Sequence, residues 1–260
     1  MTLRSLTAVL AAAVGTGGLL AAFVVRDALW LTVQACVVDA TLTGAPFPCL
    51  LVDMAAGEAR GYAVLRAPFG AQDTILTPTR RVVGVEDRWL QSRDAPNYFD
   101  AAWRARRFLS PLGGKPPDAR RFALAVNPAH LRSQDQFHIH LGCLAPVVRR
   151  WLPRLAANLP IGTWTRLDAV MTGSSFWALR TGRGDLAGVE PLRLAAQGLA
   201  DKTQSMSRLT LLVAQVRPED DDELVILASA TNVSGSLGGT SAENLLDLAC
   251  ANGSELPGGI

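Results

Sequence analysis

The chain has almost no net charge. Its formal value is +2, and that excess comes from the first 26 residues, where Arg4 and Arg26 are the only charges. The other 23 basic residues are balanced by 23 acidic ones, so no global field draws nucleic acid, and nucleic-acid binding is disfavoured as a function class. Histidine is scarce, with three in 260 residues, and a zinc site needs three or four ligands. No GxGxxG, P-loop or GxSxG pattern occurs, which argues against the dinucleotide, nucleoside-triphosphatase and serine-hydrolase classes. None of the four cysteines stands in a CxxC pair, and there is no internal repeat or low-complexity tract. With 49% hydrophobic and 18% charged residues, the chain has the material for a substantial core and is not disordered.

What is present begins with one long apolar run. Ser5–Val25, "SLTAVLAAAVGTGGLLAAFVV", contains no charge, and a helix of that length crosses a hydrocarbon core of about 30 Å. It divides the chain into a short tail at 1–4, an anchor at 5–25 and a body at 27–260. A cleaved signal is the competing reading, since "LAA" at 20–22 supplies small residues, but the bulky "FVVR" that ends the run disfavours cleavage after it; a buried core helix is the third. Arg4 and the terminal amine before the run favour a cytoplasmic N-terminus and a body outside the cytoplasm. Cys36, Cys49, Cys143 and Cys250 all come after the run. They allow three pairings, one of which closes a local loop (Cys36 with Cys49) and ties the histidine strand to the C-terminal segment (Cys143 with Cys250). Disulfides persist in oxidising compartments; four independent buried thiols are the alternative.

Patterning along the body predicts an α+β fold: an antiparallel sheet of five or six strands with packed helices. A short helix after residue 28 leads into the loop "TGAPFPC". Tyr62–Leu65 and Thr74–Leu76 read as a hairpin, and "APNYFDAAWRARRFL" as a helix started by Pro96 and Asn97. "RFALAVN" and "QFHIHLGCL" read as strands. "PVVRRWLPRLAANL" reads as a helix interrupted near Pro153. From 161 the pattern is looser and richer in glycine, until Arg208–Val216 and Glu223–Ser229 form a second hairpin across an acidic tip, "EDDD". Ser241 caps a last short helix that ends at Cys250.

"SQDQFHIHLGC" (133–143) concentrates the chemistry. Alternation on a strand puts Gln136, His138 and His140 on one face, with Phe137, Ile139 and Leu141 on the other. Two adjacent imidazoles can bind a metal, face solvent, or attack phosphorus: an imidazole is a competent nucleophile at neutral pH, and its phosphoramidate turns over. Ser133 and Gln134 in the preceding loop can bind phosphoryl oxygens, and Asn127 can orient the pair. His130 reads as an exposed loop residue.

"Asn127…Ser133-x-x-Gln136-x-His138-x-His140" resembles the histidine-triad pattern. The wider chain resembles the CDP-diacylglycerol pyrophosphatase family, a membrane-anchored branch of that superfamily. The resemblance rests on the apolar N-terminus, the Cys36/Cys49 pair, "LTPTRRVVGVED", "PNYFDAAWRARRF", "LAVN", "SQDQFHIHLGC" and Cys250. It implies a histidine-triad-like sheet and cleavage of CDP-diacylglycerol to CMP and phosphatidate. It also implies a single-pass location in a bacterial inner membrane with a periplasmic body, and neither cofactor nor metal. His138 becomes the nucleophile, His140 and Ser133 phosphate contacts, and Asn127 an orienting group. Gln136 stands where the triad has its first histidine: it can donate a hydrogen bond but cannot shuttle a proton, which leaves the acid for the departing phosphatidate unassigned. Arg80 or Arg81 can meet the pyrophosphate, and Tyr98 and Phe99 can wall a cytosine pocket or simply fill the core. Two alternatives are a histidine-triad hydrolase of soluble nucleotides and a non-catalytic envelope protein whose histidines hold a metal.

Overall fold

A computed structural model describes residues 26–67, 73–109, 117–171, 174–203, 205–217, 222–230, 241–248 and 250. Among these, ten strands form one sheet in the order β1-β2-β3-β5-β4-β8-β9-β7-β6, with β10 paired to β5. They are β1 (Leu51–Asp53), β2 (Tyr62–Arg66), β3 (Thr74–Pro78), β4 (Phe122–Val126), β5 (Ile139–Leu144), β6 (Thr165–Met171), β7 (Ser174–Arg180), β8 (Leu209–Val216), β9 (Glu223–Ala230) and β10 (Leu246–Asp247). Every pairing between them is antiparallel. The helices are α1 (26–43), α2 (Tyr98–Arg104), α3 (Pro146–Ala157) and α4 (Pro191–Thr203).

Strand alternation sorts the side chains into two layers. On one face Leu76, Leu124, Ile139, Leu141, Leu211 and Ile226 pack against α2 and α4. On the other, Ala123, Ala125, Leu212 and Leu227 pack against Val148, Leu152 and Ala156 of α3. Beyond them Ala63, Leu65 and Ile75 meet Leu29, Val33 and Val37 of α1. His140 is opposite Ile75 of β3 and Ala125 of β4 in the ladder. It therefore belongs to the second face, between the patches covered by α1 and α3.

The mixed α+β architecture agrees with the patterning; the strand number does not. β6 and β7 form a hairpin in the stretch that reads as loose, because β6 lies at the sheet edge and carries Thr165, Arg166 and Asp168. α4 lies in the same stretch, opened by Pro191, a residue suited to a first helical turn. Ser241 does act as a cap, accepting from the Glu243 N–H at 3.2 Å. The element it caps, however, is a 3-10 turn (Ala242–Leu245) running into β10 rather than an α-helix reaching Cys250. α3 continues through Pro153. The expected hairpins β2–β3 and β8–β9 are present, and Asn97 caps α2 by accepting from the Asp100 N–H at 3.1 Å.

Both disulfides join the expected partners, Cys36–Cys49 and Cys143–Cys250. The first staples α1 to the segment before β1, and the second ties Cys250 to β5. The apolar run at 5–25 lies outside the described residues, as do residues 218–221 of the acidic tip. Among the described residues no helix is long and apolar enough to cross a membrane.

Candidate active site

β5 starts at Ile139, not at Gln136. The residues before it take a fixed path because polar groups pin them. Arg132 donates to both oxygens of Glu86 at 2.7 and 2.9 Å and to Asp135 at 3.2 Å. Asp135 also accepts a two-pronged pair from Arg26, each bond 2.6 Å. Gln134 accepts from the Leu29 N–H at 2.8 Å. The start of α1 is thereby clamped to the loop that precedes the histidines.

Gln136 is fully buried. Its Nε2 donates to Pro78 O and Arg80 O at 3.0 Å and to Thr77 Oγ1 at 3.2 Å, and its Oε1 accepts from the Val82 N–H at 3.2 Å. The amide is thus spent on the chain leaving β3, and the structure does not bring it to the cavity beside the histidines.

That cavity, about 390 Å³, is lined by Asn127, Ser133, Gln134, His138 and His140, together with Asp73 and Glu243. Leu29, Ile75, Leu131 and Leu248 supply apolar wall. Five of the residues singled out in the sequence therefore converge. Five do not: Gln136 lies beneath, and Arg80 stacks its guanidinium over Trp89 at 4.1 Å. Tyr98 and Phe99 are buried in the core on the opposite face of the sheet, where they pack α2 and cannot wall a pocket beside His138. Arg81 is paired with Asp27. Asp73 and Glu243 are the residues that sequence reasoning missed. One stands just before β3 and the other in the 3-10 turn near the C-terminus, and no local pattern links either to residue 140.

The two imidazoles differ in electrostatics although their rings are 4.8 Å apart. His138 Nδ1 lies 2.8 Å from Gln136 O; the carbonyl accepts, so Nδ1 carries the proton and Nε2 keeps its lone pair. Burial, reinforced by neighbouring His140, pushes the His138 imidazole down to about 4, so it is neutral at pH 7. For His140, burial also disfavours the charge, but its hydrogen bond to Asp73 and the charges of Asp73 and Glu243 outweigh it and raise the pKa. Its Nδ1 is 3.2 Å from both Asp73 oxygens, and Nε2 is 3.7 Å from Glu243 Oε2. Asn127 Nδ2 donates to Glu243 at 2.7 Å and lies 3.3 Å from His140 Nε2, while its Oδ1 accepts from Ser241.

Asp73, His140 and Glu243 offer atoms within 4.8 Å of one another, a spacing that a cation could use. The carboxylates, however, face opposite nitrogens of one ring, so they grip the His140 imidazole from both sides and favour its protonated form. An uncharged ring nitrogen beside an imidazole whose protonated form two carboxylates favour suits attack on an anionic phosphoryl group.

Comparison with known proteins agrees. A model of the CDP-diacylglycerol pyrophosphatase family matches residues 24–254. A relative from Yersinia pestis, "CDP-diacylglycerol pyrophosphatase", is 32% identical over 225 residues, covering 86% of this chain and 84% of the relative. Another, from Mycobacterium leprae (strain TN), "Probable CDP-diacylglycerol pyrophosphatase", is 32% identical over 235 residues, covering 90% and 83%. With a site of this geometry and a match of this extent, the chain belongs to the CDP-diacylglycerol pyrophosphatase family.

Proposed function

We propose that this protein hydrolyses the pyrophosphate of CDP-diacylglycerol to CMP and phosphatidate, with His138 as nucleophile, in a site related to the histidine triads. The observation that carries the mechanism is the His138 tautomer. Nδ1–H is tied to Gln136 O, which leaves Nε2 to attack the phosphorus that bears cytidine. The P–N bond forms as the bond to the bridging oxygen breaks, and phosphatidate leaves. Water then attacks the phosphorus of the adduct, the P–N bond breaks, and CMP departs with the proton balance met by solvent.

His140 lies beside this reaction with its protonated form favoured by Asp73 and Glu243, and in that form it supplies positive charge, and a proton where one is needed, to the departing oxygen. Ser133 and Gln134 contact phosphoryl oxygens, and Asn127 orients the site. Gln136 acts from below by fixing the backbone whose carbonyl holds His138. The apolar wall of Leu29, Ile75, Leu131 and Leu248 suits the glycerol end of a diacyl lipid. An anchor at 5–25 in the inner membrane, with the body on the oxidising side, places enzyme and lipid on one surface; the apolar run and the two disulfides support that location.

The test is CMP release from CDP-diacylglycerol in detergent, with chelator present and a water-soluble CDP-alcohol as comparator. Wild type is expected to be active with a preference for the lipid and to carry a transient CMP adduct on His138; His138→Ala is expected to be inactive. Full activity of His138→Ala, or activity abolished by chelator, refutes the mechanism in favour of a metal-dependent one. Equal activity on both substrates points to soluble nucleotides.

A further inference from the structure

α1 is apolar on both sides. Leu29, Val33, Cys36 and Val37 are buried against the sheet. On the outside, Leu31, Ala35, Val38 and Leu42 form an i, i+4, i+7, i+11 stripe. Leu31 is 54%, Val38 56% and Leu42 79% exposed, and Ala35 is exposed as well. Phe47, 78% exposed, comes next in the segment held to α1 by Cys36–Cys49. A contiguous exposed apolar patch marks an interaction surface.

The polar groups of α1 are already satisfied. Arg26 and Asp27 are paired with Asp135 and Arg81, and Asp39 accepts from the Phe47 N–H at 3.0 Å. The hydroxyls of Thr32, Thr41 and Thr43 turn back to carbonyls four residues earlier at 2.8, 2.7 and 2.9 Å. The face is therefore free to leave water. Its occupant is indicated by what adjoins it. The uncharged run at 5–25 ends next to Arg26, the first residue of α1. At the same end Leu29 lines the His138 cavity beside Leu131, which is 42% exposed.

We propose that the outer face of α1, with Phe47, rests on the phospholipid bilayer and holds the mouth of the His138 cavity against the headgroup layer. This deepens the functional reading above and rests on its membrane-lipid substrate. An anchor only tethers the body, whereas a helix lying in the interface also orients it.

The full chain, reconstituted into phosphatidylcholine vesicles, provides the test. All four native cysteines are in disulfides, so Leu42→Cys can carry a polarity-sensitive fluorophore, with Arg120→Cys as the control. The label at 42 is expected to brighten severalfold and to be quenched by lipids with brominated acyl chains, and the label at 120 is not. Equal quenching at both positions overturns the proposal. So does a bright but unquenched label at 42 in a protein of doubled mass, which assigns the face to a second copy of the chain.

In parallel, the Leu42→Asp/Phe47→Asp variant is expected to release CMP from CDP-diacylglycerol in vesicles about tenfold more slowly or worse. Its turnover of a water-soluble CDP-alcohol should be unchanged; unaltered vesicle turnover overturns the proposal. If wild type releases no CMP from either substrate, the functional reading fails, and the labelling still decides the surface.

Discussion

His138 makes stability depend on pH in a direction that a simple substitution can isolate. Its imidazole is pushed from the ordinary 6.5 down to about 4. Between those values the unfolded chain binds a proton at this position and the folded chain does not. Stability is therefore complete above pH 6.5, falls as the pH is lowered, and levels off below about 4. The gap corresponds to about 3 kcal/mol. His140 works in the opposite sense: its raised pKa stabilises the fold below 6.5 and ceases to do so as pH rises through the folded value. His140 and the carboxylates are present in both proteins and cancel in a comparison of wild type with His138→Gln. Urea unfolding of the two, in detergent and with disulfides intact, should be monitored from pH 7.5 to 4. The difference should move by about 3 kcal/mol in favour of His138→Gln over that range. Parallel stability curves, or a resonance assigned to His138 titrating near 6.5, would refute the argument that burial holds this ring neutral. Only a neutral ring can serve as the proposed nucleophile without first losing a proton.

Further predictions concern the groups around it. Asp73→Asn removes the carboxylate 3.2 Å from His140 Nδ1, so the pKa of His140 should fall. The variant should lose about 1–3 kcal/mol relative to wild type at pH 5.5, and less above the folded pKa of His140. CMP release should drop at least about tenfold, with its pH profile displaced to lower pH. Gln136→Ala abandons four buried hydrogen-bond partners and should cost about 2–4 kcal/mol in denaturant melts; the fraction that remains folded should keep turnover within about tenfold of wild type. Cys250→Ser opens a link between residues 107 apart. It should cost about 4 kcal/mol in denaturant melts and weaken the hold on the turn carrying Glu243.

The elements legible from sequence are those whose signals are local. The β8–β9 hairpin consists of two apolar runs separated by charged residues, and both strands are buried along nearly their whole length. Asn97 and Ser241 could be recognised as caps because a cap acts within three residues. β6 and α4 are not legible because β6, an edge strand whose sequence is broken by Arg166 and Asp168, has no continuous apolar run, and because α4 has its strongest local signal in a single proline. Arg80 is a site candidate through its guanidinium chemistry, and Tyr98 and Phe99 are open between a pocket wall and the core; the structure puts both aromatics in the core, because which face of a sheet a neighbouring helix covers depends on the chain's path.

The sequence alone determined the α+β class, the apolar N-terminal run, the nucleophile candidate His138 with its neighbour His140, and the loop residues Ser133 and Gln134. The class, the run and the shared face of the histidines rest on local periodicity and spacing, whereas His138 as nucleophile is what the family resemblance implies. Tertiary structure alone decided the direction in which each ring's pKa moves. Asp73 is 67 residues from His140, and Glu243 is 116 residues from the Asn127 to which it is bonded. Both reach the site only because β3 pairs with β5 and because β10 and the Cys143–Cys250 disulfide tie the segment after Glu243 to β5. A pKa is set by groups within a few ångströms of the ring, and proximity in space is what folding adds to order along the chain.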